Sequence, residues 1–230
     1  MDYLGGGLAE ALRMILVFDR EFAAIVGVSL KVASLSTCLA TVAGVIVGIV
    51  VAENHFRGRQ VVITLLNTLM SLPTVLVGLL VYSFISRRGP LGELGLLYTQ
   101  SAMVAGQAIL AFPIIAGLVL ASVSSLDRRV RTTAASLGAD TGQSFRILLR
   151  EARYGVLAAV VAGFGRVFAE VGVSMMLGGN IKNYTRNITT AIALETSKGE
   201  FALGIALGIV LLSVALGVNV ALGLLRRREV

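Results

Sequence analysis

The sequence predicts an all-α integral membrane protein with about five transmembrane helices, and three observations predict it. Only 14% of the 230 residues are charged, while 56% are apolar and the mean hydropathy is +0.87; soluble domains carry about a quarter charged residues. The apolar residues fall in runs of more than 20, long enough as helices to cross a hydrocarbon core of about 30 Å. The 26 glycines suit helices that approach closely in lipid, where the solvent is as apolar as the side chains and small residues let backbones meet. One bundle over residues 1–230 is the simplest domain organisation.

The elements follow in order. Residues 4–18 are apolar but short and carry Glu10 and Arg13, so they read as an amphipathic helix lying in the interface. The spans are expected over residues 25–52, 61–86, 101–123, 156–177 and 201–225. Pro73 and Pro113 stand within the second and third. Each lacks a backbone N–H and should bend its helix. Gly44/Gly48 and Gly204/Gly208 have the four-residue spacing of closely packed membrane helices.

Loop charge sets the orientation. One side collects Arg57, Arg59, Arg128, Arg129, Arg131, Arg146, Arg150, Arg153, Arg226, Arg227 and Arg228, a total of 11. The other collects Arg13, Arg20, Arg87, Arg88, Lys182, Arg186 and Lys198, a total of 7. The richer side is expected in the cytoplasm, which places the C-terminus inside and, with five spans, the N-terminus outside. No basic stretch precedes the first apolar residues, so no cleaved signal peptide is expected.

Several function classes drop out. The net charge of +7 sits at the ends of apolar runs, with no basic patch interleaved with aromatic residues, which argues against nucleic acid. No phosphate-binding glycine loop of the Gly-x-x-x-x-Gly-Lys-Ser/Thr form is present. His55 is the single histidine and Cys38 the single cysteine, so neither a soft-metal site nor a base beside a nucleophile is expected. No catalytic or metal-ligating set emerges.

What remains is a polar, arginine-rich island between the third and fourth spans, about residues 124–155. Val130, Ala134 and Leu137 follow the i, i+4, i+7 spacing of one helix face. Gly138 suits the left-handed position that ends a helix. Asp140 and Gln143 have the form of a capping box that starts the next, and Phe145, Leu148 and Leu149 give that helix an apolar stripe. Helix, bend, helix with two apolar stripes reads as a surface that docks on an energy-supplying partner.

This loop resembles the cytoplasmic signature of permease subunits of bacterial ABC importers, whose usual form opens on Glu-Ala-Ala and reaches a glycine after three intervening residues. Here Thr132-Thr133-Ala134 takes the triplet's place before Gly138. Ser71-Leu72-Pro73-Thr74 with Arg87-Arg88-Gly89-Pro90, and Gly165-Arg166-Val167-Phe168-Ala169-Glu170 with Gly178-Gly179-Asn180, are similar to the molybdate, tungstate and sulfate branch. The run Thr189-Thr190-Ala191-Ile192 to Glu200 is most like the tungstate-specific permeases. The resemblance implies the type I importer permease fold. It also implies a second copy of the chain, two cytoplasmic ABC ATPase subunits that hold ATP and Mg, and an extracytoplasmic oxyanion-binding protein. It implies no cofactor in this chain. The residues it assigns to coupling are Val130, Arg131, Thr132, Thr133, Ala134, Leu137, Gly138, Ala139, Asp140 and Phe145. The expected cargo is a tetrahedral oxyanion, tungstate first. The alternatives are molybdate, sulfate or phosphate with the same architecture, or a channel or secondary carrier working alone.

Within the spans, Asn67, Ser71 and Thr74 are expected on one helix face, and Arg166 and Glu170 four residues apart on another. Both sets fit either helix packing or a polar pathway.

Overall fold

The computed structural model describes residue 13, residues 20–54 and residues 56–227. The expected interfacial helix, apart from Arg13, lies outside the described residues, as do His55 and Arg228. Regular structure among the described residues is helical throughout.

The first helix, α1 (Arg20–Glu53), has 34 residues and so measures about 51 Å. It packs along α4 (Gln100–Ser124), the most enclosed of the long apolar helices. Ala111, Ile115, Ala116, Val119 and Val123 of α4 are fully buried. Gly44 and Gly48 are the reason the two helices lie so close. A Cβ on Gly48 would stand 2.8 Å from the Ala116 carbonyl oxygen, and one on Gly44 would stand 2.9 Å from Ile115 Cγ2. The other glycine pair behaves differently. Gly204 makes only an ordinary contact and Gly208 faces open space.

The second span is not one helix. It is α2 (Arg59–Met70) and α3 (Thr74–Ile85), turned through 101° at Ser71-Leu72-Pro73. Pro73 cannot donate to the preceding turn and pushes Leu72 out of the helical region, so the chain breaks and restarts with Pro73 as N-cap. Pro113 has the same chemistry, yet α4 runs through it unbroken. Its neighbours are buried against α1 and α7 (Arg153–Phe168), and that packing offsets the missing bond. The fourth span is broken too, into α7 and α8 (Gly172–Gly178), bent by 60° around Glu170.

A pair of short loop helices, α5 (Arg128–Ser136) and α6 (Thr141–Glu151), joins α4 to α7. After α8, a loop leads to α9 (Ile188–Lys198) and then α10 (Phe201–Arg227). Among the described residues three helices, α1, α4 and α10, are long and apolar enough to cross a membrane, and the two bent pairs raise the number to five. Most of α10 is exposed in the single chain; Leu212 and Leu216 are 70% and 66% exposed.

The loops sorted by charge sit at opposite ends of α1. Arg59 donates Nε to the Val51 carbonyl at 2.8 Å, and α6 also packs against α1. At the other end Glu21 pairs with Lys182 at 2.7 Å and Arg186 at 3.5 Å, and Gln100 donates to the Tyr184 carbonyl at 2.6 Å. Arg59 and the Lys182–Arg186 loop, which the charge count assigned to different sides, therefore lie at different ends of α1.

Candidate functional site

Two regions bring the expected residues together. The first is the helix pair α5–α6. Residues 128–136 form one helix, so Val130, Arg131, Thr132, Thr133 and Ala134 lie on consecutive positions of it. It ends as the sequence requires. Gly138 has φ +74°, the Ala139 N–H reaches back to the Ala134 carbonyl at 3.0 Å and the Leu137 N–H to Thr133 at 3.0 Å. This is the glycine-terminated helix end, in which the left-handed residue lets two late N–H groups satisfy carbonyls of the last turn. Two residues on, Asp140 Oδ1 accepts the Gln143 N–H at 2.7 Å and Gln143 Oε1 accepts the Asp140 N–H at 2.9 Å, a reciprocal cap on α6.

The apolar positions divide between two tasks. Ala134 and Leu148 are buried, and Phe145 and Leu149 pack against the main core. Those residues hold the pair to the bundle. Leu137 does the opposite. It is 82% exposed, on the bend, above a groove lined also by Ala139, Gln143, Ile147, Leu149 and Arg150. The expectation of a single stripe on α5 is therefore corrected: Ala134 faces in and Leu137 faces out, because the chain leaves helical geometry just after Ser136.

The second region lies where the two broken spans meet. Asn67, Ser71 and Thr74 do not share a helix face as expected. The break at 71–73 puts Thr74 at the start of a new helix, while Asn67 stays exposed on the old one and Ser71, also exposed, caps its end. α3 packs on α8, and the spot that a Cβ on Gly172 would occupy is 3.2 Å from Thr74 Oγ1 and 3.3 Å from Glu170 Oε1. Arg166 and Glu170 are bonded, Nη1 to Oε2 at 2.8 Å. Glu170 lies just beyond the end of α7. Its second oxygen accepts the Val173 N–H at 3.2 Å and so caps α8. The carboxylate is buried, with the Glu170 side chain 3% exposed, but the Arg166 side chain is 40% exposed.

Behind this pair runs a buried polar chain absent from the sequence-based expectation. Gln107 donates to Ser174 Oγ at 2.8 Å, and Asn187 donates to the same oxygen at 3.0 Å. Thr189 donates to the Glu170 carbonyl at 2.7 Å. Ser29 accepts the Ile188 N–H at 2.7 Å. Backbone that leaves helical form at membrane depth must be satisfied by protein or water, and these side chains supply bonds at the break. For Ser29, Gln107 and Ser174 the signal in sequence is that each interrupts an apolar run with a polar residue, which is costly in lipid unless partnered; Asn187 and Thr189 stand in a polar stretch and carry no such signal.

Comparison with known proteins agrees with this architecture. Residues 44–229 match the family model described as binding-protein-dependent transport system inner membrane component. The chain is 37% identical over 219 residues to the tungstate uptake system permease protein TupB of Peptoclostridium acidaminophilum, covering 95% of this chain and 96% of that protein. It is 38% identical to TupB of Campylobacter jejuni, over 95% of this chain and 92% of that one. It is 40% identical to a probable anion ABC transporter permease protein of Haloferax volcanii, over 86% and 88%. Among solved structures, a chain of the MetNI methionine ABC transporter in an inward-facing conformation superposes with TM-score 0.76 at 18% identity, covering 90% of this chain and 95% of that one. A chain of a bacterial alginate ABC transporter does so with TM-score 0.76 at 20% identity, covering 94% and 82%. The helix–bend–helix loop, the bent spans and these likenesses together make the chain a member of the binding-protein-dependent transport system inner membrane component family, a permease subunit of ABC transporters.

Proposed function

We propose that this chain is the membrane pathway of an ATP-driven importer of a tetrahedral oxyanion, tungstate first. Two copies form the pathway. An extracytoplasmic binding protein delivers the anion, and two ATPase subunits, which hold ATP and Mg, dock on α5–α6. The observation that carries the substrate is the likeness to two tungstate uptake permeases over nearly the whole chain. For the docking surface the support is Leu137, a large apolar side chain held out in solvent by a capped, glycine-hinged helix end. A carrier working without an ATPase has no use for that arrangement.

The mechanism follows from the frame. ATP binding draws the ATPase subunits together. α6, tied to the core by Leu148, carries that movement to α1 and α7. Packed helices switch between discrete arrangements and do not deform continuously, so the bundle alternates between outward- and inward-facing states whose balance the partner shifts. The test is uptake into vesicles holding the permease, ATPase and binding protein. ATP-dependent tungstate uptake is expected, with weak competition by sulfate. Equal competition by sulfate removes the tungstate assignment and leaves the importer standing. Uptake without the ATPase removes both.

A further inference from the structure

Arg166 is placed unlike an ordinary structural partner. It stands 13 residues from Arg153 and 12 from Gly178 along the bent fourth span, halfway across. Small residues flank it on the exposed side of α7: Ala162, Gly165 and Ala169. The second break, at 71–73, brings Thr74 to Gly172, beside the Glu170 carboxylate that Arg166 pairs with. Irregular backbone at membrane depth persists only where protein buries it or where it lines a watery cavity. Glu170 is enclosed and uses both oxygens inside the protein. Arg166 gives it one bond of the five N–H donors a guanidinium carries, and two-fifths of its side chain stays open.

We infer that Arg166 is a transit contact for the oxyanion, a weak anion site on the pathway tempered by Glu170; this rests on the importer reading. The pair has the balance transit needs. A lone guanidinium in a low-dielectric passage would hold a dianion tightly, and a pathway must bind well enough to admit an ion and weakly enough to release it. Glu170 cancels most of the far field, while the donors on the open side remain for a planar or tetrahedral oxyanion at close range.

The test reads local charge without requiring transport. Ala169→Cys, in a Cys38→Ser background, is made in the purified permease–ATPase complex and reacted with anionic and cationic methanethiosulfonates. The anionic reagent is expected to react faster, by roughly tenfold, and millimolar tungstate is expected to slow it. Arg166→Gln should abolish the preference for sign. Because that change leaves Glu170 buried without its partner, the double variant Arg166→Gln/Glu170→Gln serves as the second reading and should abolish it equally. Glu170→Gln alone should lower the tungstate concentration needed for protection. No labelling by either reagent, equal rates in the parent, or a preference that survives the loss of Arg166 overturns the inference. Protection by molybdate or sulfate in place of tungstate upholds the arginine site and overturns the tungstate reading alone.

Discussion

The α5–α6 pair and the junction of the broken spans are both built on hydrogen bonds outside regular helix, yet they differ in reach. In α5–α6 the defining bonds join residues three to five apart: Asp140 with Gln143, Leu137 with Thr133, Ala139 with Ala134. At the junction, Gln107 bonds Ser174 across 67 positions and Ile188 bonds Ser29 across 159. The first region can be altered without unsettling the bundle, since its geometry is local and its outer face is solvent. The second is shared by α1, α4, α8 and α9, so any change there is felt by the whole fold. A transporter needs both: a surface that receives a partner and a frame that carries movement undistorted.

The largest effect is expected at the junction. Arg166→Ala leaves the enclosed Glu170 carboxylate without its partner, a loss of about 3–5 kcal/mol, seen as a large drop in melting temperature in detergent. Glu170→Ala should cost less, because the half-exposed guanidinium can reach water. Replacing both with Met should recover most of the stability. A double variant as unstable as the two singles combined would mean that the ion pair is not the reason for the loss.

Close approach of α1 and α4 comes next. Gly48→Val sets new atoms against the Ala116 carbonyl and should destabilise by about 1–3 kcal/mol, whereas Gly208→Val should change the melting temperature little. Equal losses at the two sites would place a neighbour on α10 that the single chain lacks, as a second copy would supply.

A smaller cost to stability with a larger effect on coupling is expected at Gly138. Valine at φ +74° is strained by about 1–2 kcal/mol. The variant should insert and melt near the parent, while binding the ATPase poorly in pull-down. Leu137→Asp should repeat the binding defect with no change in melting temperature. Normal ATPase binding by both would remove α5–α6 as the docking surface.

The mildest change is Asp140→Ala. It deletes one cap, worth about 1 kcal/mol, and should speed amide exchange at Gln143 without affecting exchange in α4. Exchange rising in both regions would show that the pair is not energetically separate from the bundle.

Much of the chain was legible without a structure because its signals act over a few residues. Length and apolarity placed the spans to within a few residues, Gly138 announced a left-handed helix end, and Asp140 with Gln143 announced a cap. The four-residue spacing also placed Arg166 beside Glu170. What the sequence could not decide was where distant segments meet. Pro73 and Pro113 look alike in sequence, but one breaks its helix and the other leaves it unbroken. Gly44/Gly48 and Gly204/Gly208 share a spacing, but only the first pair lets another helix of the chain approach closely. Thr74 left the face of Asn67 and Ser71 to stand beside Gly172, and Gln107, Ser174 and Asn187 became one chain of bonds. Local hydrogen bonds and chain stiffness are properties of a short segment, so they can be read from its residues. Close approach and shared polar bonds depend on which segments the folded bundle brings together, and only the tertiary structure decided those.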